Sequence, residues 1–257
     1  MGGGARNVPT KAVNGAAQGA IDKRIRIRAP AGQQNTIYGD PNNATNPMRL
    51  LHETNGLVFP FTPTITYSQN PNWATQELTH TIQQYYYFTS TNSAEINITG
   101  EFTVQNPREG QYLLAVFHFL RSYSKMHFGE KEPQQSRGLP PPILQLDGYG
   151  DYMFNSLPIL IRSWSMDMLK DVDYVEVPVN SQLPQPITDP SELTAITTRE
   201  TTSPMSADLV GVAYLPAYTN ISINAIVQQP PVKLRKEFSL TAFRNGELLG
   251  KKNKGFT

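Results

Sequence analysis

The sequence predicts an α+β fold that is mainly β, with antiparallel strands and one flanking α-helix. Three observations lead there. Ile96, Ile98, Phe102 and Val104 alternate with polar residues in EINITGEFTVQ, the period of a half-buried strand. Directly after it, Leu113, Val116, Phe117 and Leu120 recur at helical spacing. Far along the chain, NISINAIVQ returns to period two with Ile221, Ile223 and Ala225.

Taken in order, residues 1–50 read as an extended amino-terminal arm. The first twenty residues have no periodicity, and IDKRIRIRAP then interleaves Lys23, Arg24, Arg26 and Arg28 with Ile25 and Ile27. Closely spaced cations of this kind suit contact with a phosphate backbone. The plainer reading is an edge strand protected by its charges, ordered against a partner.

Residues 51–245 carry the dense strand and helix pattern. LVFPFTPTITYS and ELTHTIQQYYYFTS read as strands, the first interrupted by Pro60 and Pro63, and the run Tyr85, Tyr86, Tyr87, Phe88 is expected to fill both faces of the second. Asn106 is placed to cap a helix, with Pro107 at its first position and Glu109 three residues after the cap. That helix is expected over 108–128, stopped by Gly129 and Pro133. PPPILQLDGYGDYMFNSLPILIRSWSMDML then reads as strand, turn, strand and strand, with Gly148 and Gly150 supplying turn geometry near Asp147 and Asp151. A polar stretch over about 179–210, rich in Pro, Thr and Ser, reads as a long loop insertion. KEFSLTAFRNG reads as a last strand with Phe238 and Leu240 on one face, and 246–257 as a basic carboxy-terminal tail holding Lys251, Lys252 and Lys254.

Composition bounds the function. Apolar residues make up 39% of the 257 and aromatics 10%, enough to build a core, while charged residues reach only 17%. Much of the polar surface is therefore uncharged and costs less to desolvate, which suits a subunit among neighbours. A net charge of +1 gives no global pull toward nucleic acid or acidic membranes. With no cysteine there is no disulfide framework, thiolate metal site or cysteine nucleophile, and an intracellular assembly compartment is expected. No stretch reads as a signal peptide or a membrane span, so no membrane anchor is expected.

The residues offer no reaction centre, and no catalytic, cofactor or metal site is expected. His52, His80, His118 and His127 are scattered without metal-ligand spacing, and His118 reads as a core or flank residue of the helix. Asp167, Asp171 and Asp173 lack the glycine and terminal glutamate of a calcium loop and read as a solvated strand end beside DVDYVEV. Neither a GxSxG elbow nor a glycine-rich nucleotide turn is present. The aromatic run with the basic arm and tail leaves a nucleic-acid-binding module as the alternative, although no basic residue is interleaved between Thr75 and Ser93.

The order of elements resembles a family. YLLAVFHFLRSYSKMHFG, GLPPPILQLDGYG, FNSLPILIRSWSMDMLKDVDYVEV and LPAYTNISINAIVQ together resemble the tail-tube initiator or baseplate tube-junction proteins of contractile-tailed bacteriophages, over roughly residues 55–245. The resemblance implies a tail-tube-like antiparallel β-barrel or sandwich, with copies joined in a six-membered ring around a channel. It implies a structural virion protein of the phage tail, assembled in the host cytoplasm. Its ring would sit between the baseplate hub and the tail tube, start tube assembly, and let DNA pass through the lumen without sequence-specific binding. On that resemblance the candidates for the lumen face are Glu95, Asn97, Thr99, Glu101 and Thr103 on one strand and Asn220, Ser222 and Asn224 on another. The arm residues Lys23, Arg24, Arg26 and Arg28 would contact a neighbour or the ring below.

Overall fold

Alternating strands need a second layer to bury their apolar side, and one helix supplies most of it. The computed structural model describes residues 24–43, 45–130, 132, 134, 136–150, 152–179, 211–249 and 255–256. Lys23, Asp151, residues 180–210 of the expected loop insertion, and Lys251, Lys252 and Lys254 lie outside the described residues. In chain order the first elements are β1 (Arg26–Arg28), α1 (Gln34–Tyr38), α2 (Arg49–Thr54), β2 (Leu57–Val58) and β3 (Thr64–Ser68). Next come β4 (Pro71–Gln76), β5 (Tyr85–Thr91), β6 (Glu95–Thr103) and α3 (Pro107–Tyr123). β7 (Leu144–Gly148), β8 (Phe154–Met168), β9 (Tyr174–Pro178), β10 (Val212–Pro216) and β11 (Tyr218–Val227) complete the strands, and α4 (Pro231–Glu237) and α5 (Leu240–Arg244) follow.

Seven strands form one antiparallel sheet in the order β2-β1-β7-β8-β11-β6-β3. Ile96 and Ile98 of β6, Ile221 and Ile223 of β11 and Leu146 of β7 point to one face, where Leu113, Val116, Phe119 and Leu120 of α3 join them in a single apolar cluster. The start of α3 follows from its sequence. Asn106 Oδ1 accepts the Glu109 N–H at 2.9 Å, while Glu109 Oε2 accepts the Gln105 N–H at 2.8 Å. The helix ends at Tyr123, short of the expected 128, because its apolar stripe is not continued: Met126 and Phe128 are exposed, and Ser124 Oγ bonds the Leu120 carbonyl.

The mainly β, antiparallel character is as the sequence predicts, but the sheet is not closed into a barrel, and the described residues hold five helices instead of one. A second difference concerns the amino-terminal arm, which was expected to run to residue 50 and to order against a partner. Residues 24–50 instead contribute to the protein's own core. Ile25, Ile27, Tyr38, Leu50 and Leu51 are buried, and β1 lies inside the sheet between β2 and β7, so it is not an edge strand. The cause is the alternation itself: Arg24, Arg26 and Arg28 share one face, which leaves both isoleucines free to pack inward. Tyr38 fixes the return of the chain, since its hydroxyl accepts the Ala29 N–H at 2.6 Å and its ring meets Phe119 edge to face.

KEFSLTAFRNG is likewise not a strand. Pro231 opens α4, and Ser239 Oγ accepts the Ala242 N–H to open α5, so two short helices replace the expected alternation. Their rings gather locally, with Phe238 against Phe243 and Phe256.

Two hairpins leave the main sheet. β4 and β5 pair with each other beyond β3 and β6, forming a ribbon whose principal packing is internal. Only the end of the expected strand over 77–90 is extended, and Tyr85, Tyr86, Tyr87 and Phe88 are exposed by 49–64% where burial on both faces was expected. Among the described residues the run packs chiefly on the facing strand: Phe88 meets Trp73, itself 57% exposed. The second hairpin, β9 with β10, rests on α3. Val177 is buried against Gly110, and Gln111 Nε2 donates to the Pro178 carbonyl at 2.6 Å.

Candidate functional site

The face of the sheet turned away from α3 is built from small polar side chains. On β6 the core positions are taken by Ile96, Ile98 and Phe102, so Glu95, Asn97, Thr99, Glu101 and Thr103 must lie opposite. β11 repeats this with Ile221, Ile223 and Ala225 inward and Asn220, Ser222 and Asn224 outward. The pairing places Asn220 beside Glu101, Ser222 beside Thr99 and Asn224 beside Asn97. All eight sheet-face candidates therefore share one face, and the two strands touch through them. Thr99 Oγ1 and Ser222 Oγ are 3.0 Å apart, and Asn224 Nδ2 donates to Asn97 Oδ1.

Two further strands extend the same surface with residues that the sequence does not assign to it. Ser163, Ser165 and Asp167 of β8 lie beside Asn224, Ser222 and Asn220, and Thr64 and Thr66 of β3 lie beside Thr99 and Asn97. Continuous rows result: Ser165, Ser222, Thr99 and Thr64 in one, Ser163, Asn224, Asn97 and Thr66 in the next. Together with Asp167, Asn220 and Glu101 in a third row, they contain no apolar and no basic side chain.

A β-bulge makes the β8 portion polar. Ala225 pairs with Ile161 and Asn224 with Ser163, so Arg162 is an extra residue in β8. Before it the odd residues Leu157, Ile159 and Ile161 face the core; after it the even residues Trp164 and Met166 do. The extra residue shifts the phase, and the serines and Asp167 turn outward as a result. Arg162 itself bonds Glu95 across the sheet at 3.1 Å. The signal was legible in ILIRSWSMDM, where the apolar period is preserved but its parity changes.

The polar face ends at two strand edges. β3 pairs on one side with β6, and the stretch of β8 beyond Ile159 pairs on one side with β11; among the described residues nothing pairs with either on its other side. Charge on the face is acidic. Glu101 accepts a hydrogen bond from the exposed Tyr218 hydroxyl, and this bond, with a smaller share from desolvation and the carboxylate charge, raises the phenol above its usual range.

The basic residues of β1 are elsewhere. Arg28 pairs with Asp147 and donates from Nη2 to Ser156 Oγ at 2.9 Å, so it is bound within the subunit. Arg24 and Arg26 are half-buried on the same side of the strand. Lys23 lies outside the described residues. The histidines do not converge: His52 bonds the Gly39 carbonyl, His127 faces Glu132, and His118 stands exposed on the flank of α3, its imidazole held below its usual range by partial burial and then by Arg121. Among the described residues no three His, Asp or Glu side chains form a group able to hold a metal, and no described helix is long and apolar enough to cross a membrane.

No family model matches the chain, and no curated protein matches it in sequence.

Proposed function

We propose that this chain is a ring-forming structural protein of a contractile phage tail. Its ring would join the baseplate hub to the tail tube, start tube assembly and line the DNA channel. The observation that carries this reading is the polar four-stranded face bounded by two open edges. In a head-to-tail ring the edge of β3 in one copy joins the free part of β8 in the next, a heterologous contact that closes when its rotation does. Closure gives both edges their hydrogen-bond partners and removes the templates that an open sheet offers for uncontrolled pairing. The inner wall is then a continuous surface of hydroxyls, amides and a few carboxylates. Such a wall suits passage of DNA: its three polar rows hold no cation, the Arg162 beside them is paired with Glu95, and its carboxylates repel the phosphate backbone. The six-membered count and the hub and tube partners come from the family resemblance.

Electron microscopy of the purified chain, alone and mixed with hub and tube proteins, tests the reading. The expected outcome is rings with a central channel that nucleate tubes; a chain that stays monomeric under both conditions overturns it.

A second reading, a nucleic-acid-binding module, is favoured by the exposure of Tyr85, Tyr86, Tyr87 and Phe88 on β5. It requires salt-sensitive retention of single-stranded DNA that Tyr86→Ala weakens.

A further inference from the structure

The two ends of β11 carry opposite charge, each mixed with exposed apolar side chains. Thr219, next to its start, lies beside Met168, the last residue of β8, and Val227, at its end, lies beside Ile159. The strand has ten residues, which puts about 30 Å between the ends.

At the far end, α4 and α5 form an appendage that packs on itself more than on the sheet. It is tied back where the Gln228 N–H donates to the Pro158 carbonyl and where Gly255 and Phe256 pack near Ser156 and Lys233. Between Pro231 and Arg244 the basic residues are Lys233, Arg235, Lys236 and Arg244, against one carboxylate, Glu237. Val232, Leu234 and Leu240 are exposed among them, by 64%, 43% and 52%.

At the near end the charge is reversed. Asp167, Asp171, Asp173 and Glu176 surround one cation, Lys170, and all five are exposed. Met168, Leu169 and Tyr174 stand beside them, exposed by 56%, 46% and 73%. The two surfaces thus match in charge, four to one in opposite senses, and in apolar content.

We infer that the α4–α5 appendage of one copy docks on the Asp167–Glu176 end of a second copy. The second copy is the occupant that the molecule itself specifies, because each surface meets in the other both its counter-charges and an apolar area to cover. The contact runs along the strand direction, so it is separate from the edge-to-edge contact of the proposed ring and does not rest on it.

Charge reversal of the full-length chain tests this, with Thr64→Lys and Thr66→Lys present throughout so that edge pairing does not contribute. One variant carries Arg235→Glu, Lys236→Glu and Arg244→Glu; the other carries Asp171→Lys, Asp173→Lys and Glu176→Lys. All are exposed positions, and circular dichroism confirms that the fold is kept. In sedimentation velocity the chain with native ends associates, less strongly as salt rises from about 0.05 M to about 0.5 M. Each variant alone associates at least about tenfold more weakly, and an equimolar mixture of the two regains hetero-association. The inference is overturned if the chain with native ends is monomeric throughout, if either variant associates as the native ends do, or if the mixture fails to recover. Loss of rings in the edge variants, with the end-to-end association of the appendage intact, separates this contact from the ring.

Discussion

Arg28 and Asp147, 119 residues apart, form an ion pair that fixes β1 against β7, and Ser156 completes it by donating its N–H to Asp147 and accepting from Arg28. Both charged side chains are about one quarter exposed. Arg28→Ala leaves Asp147 half-paired in a partly dry setting and is expected to destabilise the fold by about 1.5–3 kcal/mol, read as a lower denaturant midpoint. Glu53→Ala at the Glu53–Arg108 pair, nearly half exposed on both sides, should change stability by less than about 1 kcal/mol.

Tyr112 anchors the other side of β1. Its hydroxyl accepts the Val58 N–H at 2.8 Å and lies 3.2 Å from the Val58 carbonyl, and burial pushes the phenol up to about 12. Tyr112→Phe leaves that amide without its phenol partner and should cost about 1–3 kcal/mol in chemical denaturation.

The same burial gives a pH dependence. The unfolded phenol ionises near 10 while the folded one holds its proton to about 12, so the unfolded state binds fewer protons in that window. Stability is full below pH 10 and falls as pH rises from 10 toward 12; Tyr38, raised by burial in the same direction, adds to the fall. Thermal melts across this range should show a shallower decline in Tyr112→Phe than in the native chain.

Gly110 lets the β9–β10 hairpin sit on α3. A methyl group there would come within 2.3 Å of Val177 Cγ2, inside a buried contact. Gly110→Ala is expected to cost about 1–3 kcal/mol and to raise hydrogen exchange in β9 before it does so in β6.

Edge pairing is addressed with lysines that leave the core untouched. Thr64→Lys with Thr66→Lys on β3, or Ser163→Lys with Ser165→Lys on β8, should abolish rings while melting temperatures stay within a few degrees, because these side chains lie off the core. Rings that survive both pairs of substitutions would exclude the edge contact.

Much of the sheet was legible because its signals are local. The alternation in β6 and β11 and the Asn106, Pro107, Glu109 start of α3 each fix an element within a few residues, and the eight candidates on β6 and β11 fell on one face because a period of two leaves no other choice. β1 was hidden by its arginines: RIRIR reads as a solvated edge until β2 and β7 are seen to flank it. In α4 and α5 the spacing of Phe238 and Leu240 imitates a strand, while Pro231 and Ser239 decide for helix. The contribution of β8 and β3 to the polar face depends on which strands become neighbours, and that is settled by long-range pairing. The aromatic ribbon shows the limit of local pattern, since four adjacent rings say nothing about whether a second layer exists to cover them.

The extra residue at Arg162 makes the surface chemistry of the sheet depend on a count as well as on identities. Exchanging Arg162 for Lys or Ser keeps the bulge, and deleting it would join Ile161 to Ser163 in a regular alternation that still holds Trp164 and Met166 inward and Ser163 and Ser165 outward, with only the bulge lost. One residue added between Arg162 and Asp167, by contrast, would need a second bulge or would turn over the side chains beyond it, so length is constrained here in one direction only.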